Sequence, residues 1–351
     1  MILRRVVAAA AASLMACGVV TGALVESAPS VGAAGGPTAY TIQFFGREEG
    51  CQLATVDLST GAVTALPTAA SRGACVGDLT ETADGHVYGV ATVEGAAPTV
   101  HLIQFDTATG LPTDLGRIGT STASLGTSPA YPAYGGITFD ATGRLFVSMI
   151  GDDDACKNGQ SSGDAFCLYQ VDPANPLSAT FKGLGTLTTN EQALTASCDG
   201  RMMTLADADP GFNSLQFGGA AASQATDTTT STTSGDGVAP QGDVTAQVLA
   251  LGANAILNLR DPSNGAMTPI GTGVGTDSEL TGLEFDSSGK LWAIGSQFGA
   301  PTVNRIFTVD PTTGVATAGP ALSGDAGGLP AGLALALTCP VALQVAPTFT
   351  G

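Results

Sequence analysis

An all-β chain of stacked hairpins is what this sequence predicts, on three observations. The first is a recurring phrase in which an apolar strand ends in Asp and turns, usually through Gly: VDLSTG (56–61), FDTATG (105–110), VDPANP (171–176), RDPSNG (260–265) and VDPTTG (309–314). The second is a different Gly-turn phrase that alternates with it: LTETADGHVYGV from Leu79, ITFDATGRLFVSM from Ile137, LTASCDGRMMTL from Leu194 and LEFDSSGKLWAIG from Leu283. The third is composition, 48 Gly and 19 Pro with no amphipathic helical period beyond the leader, which suits a protein made of turns. Hairpin pairs repeating at long spacing are four-stranded units that cannot bury their own faces and must stack on their neighbours.

Turn chemistry explains both phrases. An Asp at the first turn position accepts N–H groups two or three residues on, Pro presets the following φ, and Gly takes the left-handed conformation without steric cost. After the second kind of turn the residues alternate. His86, Arg144, Arg201 and Lys290 share an outward polar position, and Tyr88, Phe146, Met203 and Trp292 share an apolar one two residues on.

Complete units span about 78–119, 136–187, 194–271 and 283–322, and the third and fourth phrases are spread by insertions. The first Asp phrase is preceded by a strand at 40–45 but lacks an innermost strand, while the chain ends with a spare apolar strand at 332–338. Joining the two ends completes a fifth unit and removes open sheet edges, so the expected fold is a five-bladed β-propeller closed by pairing of N- and C-terminal strands. One domain is expected over 35–340, with a C-terminal tail at 341–351. The stretch 218–243, GGAAASQATDTTTSTTSGDGVAPQGD, is a low-complexity insertion that buries little.

Residues 1–34 read as a signal peptide: Arg4 and Arg5 form the basic start, an apolar Ala-rich run follows, and Val31, Gly32 and Ala33 precede a cut near Ala33 or Ala34. Secretion is the expectation. Two alternatives are an uncleaved membrane anchor and a lipoprotein modified at Cys17. Six cysteines remain after the leader, an even number that suits an oxidising compartment. Cys156 and Cys167 flank one loop and are expected to pair. Cys51 and Cys75 fall at one ring face, and Cys198 and Cys339 both end innermost strands at the other; Cys51 with Cys339 is the alternative.

The formal charge is −18 at pH 7, and losing Arg4, Arg5 and Glu26 with the leader makes the chain one unit more negative. That balance excludes nucleic acid and anionic membranes as partners. Nine of the 30 acids are turn aspartates of the two phrases, so acidity by itself does not indicate a cation.

Catalytic motifs fail on context. Gly159–Gln160–Ser161–Ser162–Gly163 matches G-x-S-x-G but lies in a polar loop, without the strand and helix that a nucleophile elbow needs. His86 and His101, the only histidines, read as solvated strand residues. The GTGVG run at 271–275 has no helix after it to cradle a phosphate. Carboxylates are better candidates, because connections between blades converge on one axial face. That face should carry Asp78, Glu191, Asp277 and Glu279, with Tyr131, Tyr134 and Asn190 beside them. Asp152, Asp153 and Asp154, in an outer loop of the same face, could join a Ca²⁺ site; no other cofactor is indicated.

Phe285, Asp286, Gly289, Leu291 and Trp292, with Val309, Asp310, Pro311, Thr313 and Gly314, resemble the repeats of bacterial secreted β-propeller proteins of the quinoprotein-like and related group. The likeness covers about 40–339. That group contains dehydrogenases, lyases and proteins without an assigned reaction, so the resemblance implies the fold alone. The haem-attachment CxxCH and a vicinal cysteine pair are absent from the sequence. Two functions stay open: a secreted, monomeric module binding an extracellular ligand or protein, and a secreted hydrolase or lyase, glycoside-hydrolase-like, using axial carboxylates as acid and base.

Overall fold

The computed structural model describes residues 36–46, 49–93, 99–122, 135–150, 166–184, 191–207, 255–275, 278–298, 301–325 and 327–339. The stretches expected as leader (1–34), low-complexity insertion (218–243) and tail (341–351) lie outside them.

Each turn phrase does what its residues dictate. Asp57 Oδ1 accepts the N–H groups of Ser59 (2.8 Å) and Thr60 (3.1 Å) and the Ser59 hydroxyl (2.6 Å). Gly61 closes the turn at φ 73°, donating its N–H to the Asp57 carbonyl. Asp106, Asp261 and Asp310 repeat the pattern, and hydrogen bonds from their turns hold their carboxyls below the ordinary range. The copy without Gly, VDPANP, runs instead into a one-turn 3-10 helix, Pro176–Ser178.

The strands so joined form five sheets, antiparallel except at one outer edge. From the axis outward, the second is β4 (Leu79–Glu81), β5 (Val87–Val93), β6 (Thr99–Phe105) and β7 (Pro112–Thr122). The third is β8 (Ile137–Phe139), β9 (Leu145–Ile150), β10 (Phe166–Val171) and β11 (Thr180–Leu184). The fourth is β12 (Glu191–Ala196), β13 (Met202–Asp207), β14 (Ala255–Arg260) and β15 (Met267–Ile270). The fifth is β16 (Ser278–Phe285), β17 (Leu291–Gln297), β18 (Val303–Val309) and β19 (Ala316–Ala321).

The first sheet draws on both ends of the chain. Its strands β1 (Thr38–Phe44), β2 (Cys51–Asp57) and β3 (Ala62–Ala65) are completed on the inside by β21 (Leu329–Ala334), with Tyr40 opposite Ala334 and Phe44 opposite Leu329. A short β20 (Ser323–Gly324) adds to β3 in parallel, which the sequence did not suggest. The five blades form the closed β-propeller ring. The closing strand begins three residues earlier than the 332–338 expected, and Pro330 sits inside it. An innermost strand has a free edge, where a missing N–H need cost no ladder bond; Pro112, Pro269 and Pro320 likewise lie in outermost strands.

The alternation read from sequence separates the faces as expected: Tyr88, Phe146, Met203 and Trp292 are buried, while His86, Arg144 and Lys290 are exposed. Apolar clusters fill the seams between sheets. The seam between the third and fourth sheets has the smallest, Phe146, Leu168, Leu194 and Met202, and there polar residues go inside. Cys51 pairs with Cys75, and Cys198 with Cys339 (Cα–Cα 4.9 and 5.2 Å). The expected partner of Cys167, Cys156, lies outside the described residues.

Candidate functional site

Where the innermost strands of neighbouring blades adjoin, they pack so closely that Gly136, Gly282 and Gly332 have no room for a side chain. A Cβ on Gly136 would lie 2.2 Å from the Leu194 nitrogen, and one on Gly282 would lie 2.5 Å from the Gly332 carbonyl carbon. One on Gly332 would lie 2.9 Å from the Leu79 nitrogen. At the equivalent position the second blade carries Asp78. Its Oδ2 accepts the N–H groups of Ile137 (3.1 Å) and Leu194 (3.0 Å), at the start of β8 and within β12. Complete burial pushes its carboxyl well above the ordinary range, and the N–H groups of Leu194, Ile137, Leu79 and Leu333 oppose that rise.

One step along the innermost strands, Thr80, Thr138, Thr195, Glu284 and Ala334 occupy equivalent positions, all buried. The hydroxyl of Thr80 accepts the Phe139 N–H (3.3 Å), and that of Thr195 accepts the Phe285 N–H (3.2 Å) while donating to Glu284 Oε1 (3.1 Å). Thus strand edges facing the axis are satisfied by side chains of a neighbouring blade, since no further strand can pair with them. Burial, and then the charge of Asp78, push the Glu284 carboxyl well above its usual value. Glu81, on the same strand as Thr80, is raised by burial to about 7 against the Ala336 N–H.

In the seam between the third and fourth sheets, Glu191 is wholly buried and ion-paired with Arg260; it also accepts the Ser148 hydroxyl. Burial lowers the Arg260 guanidinium to about 9, and among the described residues its Nε and Nη2 have no hydrogen-bond partner.

Glu191 and Glu279 differ from expectation in one respect: they belong to innermost strands β12 and β16, not to the connections between blades. Bulges at 191/193 and 280/282 let these strands run further back than the repeated phrases. Glu279 is 4% exposed. Tyr131, Tyr134, Asn190, Asp277, Asp152, Asp153 and Asp154 lie outside the described residues. Among the described residues, no three His, Cys, Asp or Glu side chains converge as a metal cluster.

Sequence reasoning passed over Glu284 and Arg260, yet both left a signal. Glu284 stands where three other blades have Thr, and Arg260 stands where Val56, Phe105, Val171 and Val309 precede the turn Asp. His101 also differs from the solvated residue expected. Its Nδ1 is 2.8 Å from Asp114 Oδ2 and its Nε2 is 2.9 Å from Thr99 Oγ1, and the side chain is 17% exposed.

No family model matches the chain, and no curated protein does. Solved structures do. The periplasmic gluconolactonase of Pseudomonas aeruginosa is similar at 12% identity and a TM-score of 0.40, over 84% of this chain and 98% of that one. A putative 6-phosphogluconolactonase from Bacteroides uniformis matches at 16% identity and a TM-score of 0.37, over 82% and 83%. TolB from Acinetobacter baumannii matches at 13% and 0.39, over 83% of this chain; this chain spans 54% of the TolB chain.

Proposed function

We propose that the protein is an exported binding propeller, holding an extracellular ligand or a protein on the face where connections enter the innermost strands. The unequal finish of the two ends of the ring carries this reading. At one end the hairpins close in tight Asp turns, as between β2 and β3 or between β16 and β17, with a one-turn 3-10 helix only between β10 and β11. At the other, antiparallel order brings together connections of very different length, from the short link of β17 to β18 to the long ones of β9 to β10 and β13 to β14. Variable loops on a rigid ring are where binding residues are carried. Export is supported by the leader and by two disulfides, which suit an oxidising compartment. Among the described residues no helix is long and apolar enough to cross a membrane.

The test is to screen residues 35–351 against extracellular glycans and surface proteins, then map the captured ligand by hydrogen exchange. Protection at 94–98, 185–190 and 276–277 is expected. Protection confined to the Asp-turn end would overturn the reading.

A hydrolase is the second reading, favoured by the order Asp114, His101, Thr99: an acid orienting an imidazole that faces a hydroxyl, the arrangement of an activated nucleophile. Turnover of ester, lactone or glycoside substrates that His101→Ala removes without lowering the melting temperature would favour it over simple binding.

A further inference from the structure

Two oxygens on the axis have nothing to bond to. Asp78 Oδ1 and Glu284 Oε2 are buried and, among the described residues, lack any hydrogen-bond partner. They belong to adjacent levels of the ring, and the charge of one is felt by the other. Thr80 from β4, Thr138 from β8, Thr195 from β12 and Ala334 from β21 share the level of Glu284, the charge of Glu81 also raises Glu284, and among the described residues neither Asp78 nor Glu284 has an ion-pair partner. Two buried carboxylates so placed repel each other unless a cation or a proton relieves them.

The surroundings supply more oxygen. A strand residue whose N–H leaves one edge presents its carbonyl on the same side. Ile137 and Leu194 direct their N–H groups to Asp78, and Phe139 and Phe285 direct theirs to threonine hydroxyls near the axis. Their carbonyls therefore point the same way.

We propose that a hard divalent cation of the Ca²⁺ class sits on the ring axis between Asp78 and Glu284, its remaining ligands being innermost-strand carbonyls and threonine hydroxyls. Two carboxylates balance two charges, and the donors are all oxygen. A dry, irregular set of carbonyls suits Ca²⁺ better than Mg²⁺, which keeps its waters and demands a regular octahedron. This ion ties the second sheet to the fifth, across the blade that the chain ends close. It is a different site from the acids at Asp152 to Asp154 and is independent of the binding face proposed above.

The experiment is calcium titration of chelator-treated protein at pH 8, by equilibrium dialysis and thermal melting. One ion per chain and a rise of about 4 °C at a hundredfold excess over Kd are expected. Glu284→Gln should abolish both and still melt cooperatively; Asp78→Asn alone would be ambiguous because that residue also holds two strands. The absence of a bound ion would overturn the proposal, as would a calcium response that Glu284→Gln retains, which would place the ion elsewhere. A Glu284→Gln protein that melts above the wild type regardless of calcium would also overturn it, indicating a proton shared by the two acids.

Discussion

Gly332 and Asp78, from distant parts of the chain, meet where the innermost strands of the first and second sheets adjoin: a Cβ on Gly332 would lie 3.0 Å from the Asp78 Cα. Gly332 is also left-handed, at φ 64°. The last strand can approach the second blade only because this residue has no side chain.

Gly332→Ala should therefore cost about 2–4 kcal/mol, from the left-handed backbone and the overlap together. Gly289→Ala is the control, since Gly289 has φ 83° but open space around it, and should cost about 1–2 kcal/mol. Urea unfolding of the two variants compares them, and equal losses would mean the axis is less tight than described.

A chain stopped at residue 328 lacks β21 and leaves the inner edges of β1 unpaired, beside Thr41, whose hydroxyl donates to the Gly332 carbonyl (3.0 Å). The truncated protein is expected to lose its cooperative melt, far beyond the effect of trimming 341–351. Calorimetry of both truncations measures this, and an unchanged midpoint would refute the closed ring.

In chelator-treated protein, stability should fall as pH rises from about 4.5 towards 7. Glu81 has a folded value of about 7 against 4.5 unfolded, so folding takes up a proton in that window. The stability is fully present below the unfolded value and is lost as pH climbs through the folded one. Asp78 and Glu284, also raised, act with the same sign. Glu81→Gln should reduce the slope by up to one proton, about 1.4 kcal/mol per pH unit. Denaturant midpoints across pH 4 to 8 provide the reading.

Arg260→Met should destabilise the ring by about 3–5 kcal/mol, because it strands the wholly buried Glu191 carboxylate. Replacing both, Arg260→Met with Glu191→Leu, should recover most of that loss. A double-mutant cycle with no coupling would argue against the pair.

The blades were legible because their signals are local. Asp57, Gly61 and their copies form turns with residues two to four positions away, and periodicity after each turn places Tyr88 and Trp292 inside. Ring position offers Cys51–Cys75 with Cys198–Cys339, and Cys51–Cys339 as the alternative; the structure has the first two pairs. The axis was harder to read. Asp78 was singled out, but its partners at Ile137 and Leu194 are 59 and 116 residues away and meet it only because the ring closes. Glu191 and Glu279 were assigned to connections because a bulge breaks strict alternation and hides the true start of a strand. Glu284 and Arg260 were visible as odd residues in otherwise uniform columns, a signal that emerges only when the phrases are laid over one another.

The closing strand also imposes an order of events. Strands β1 to β3 must wait for their inner neighbour β21 until the four intervening sheets have been made, and Cys339, whose bond to Cys198 spans 141 residues, comes later still. The fold thus carries its own check on length: a polypeptide released early has a first blade that cannot finish, an exposed sheet edge and an unpaired thiol, three marks by which a protease can tell it from a finished ring.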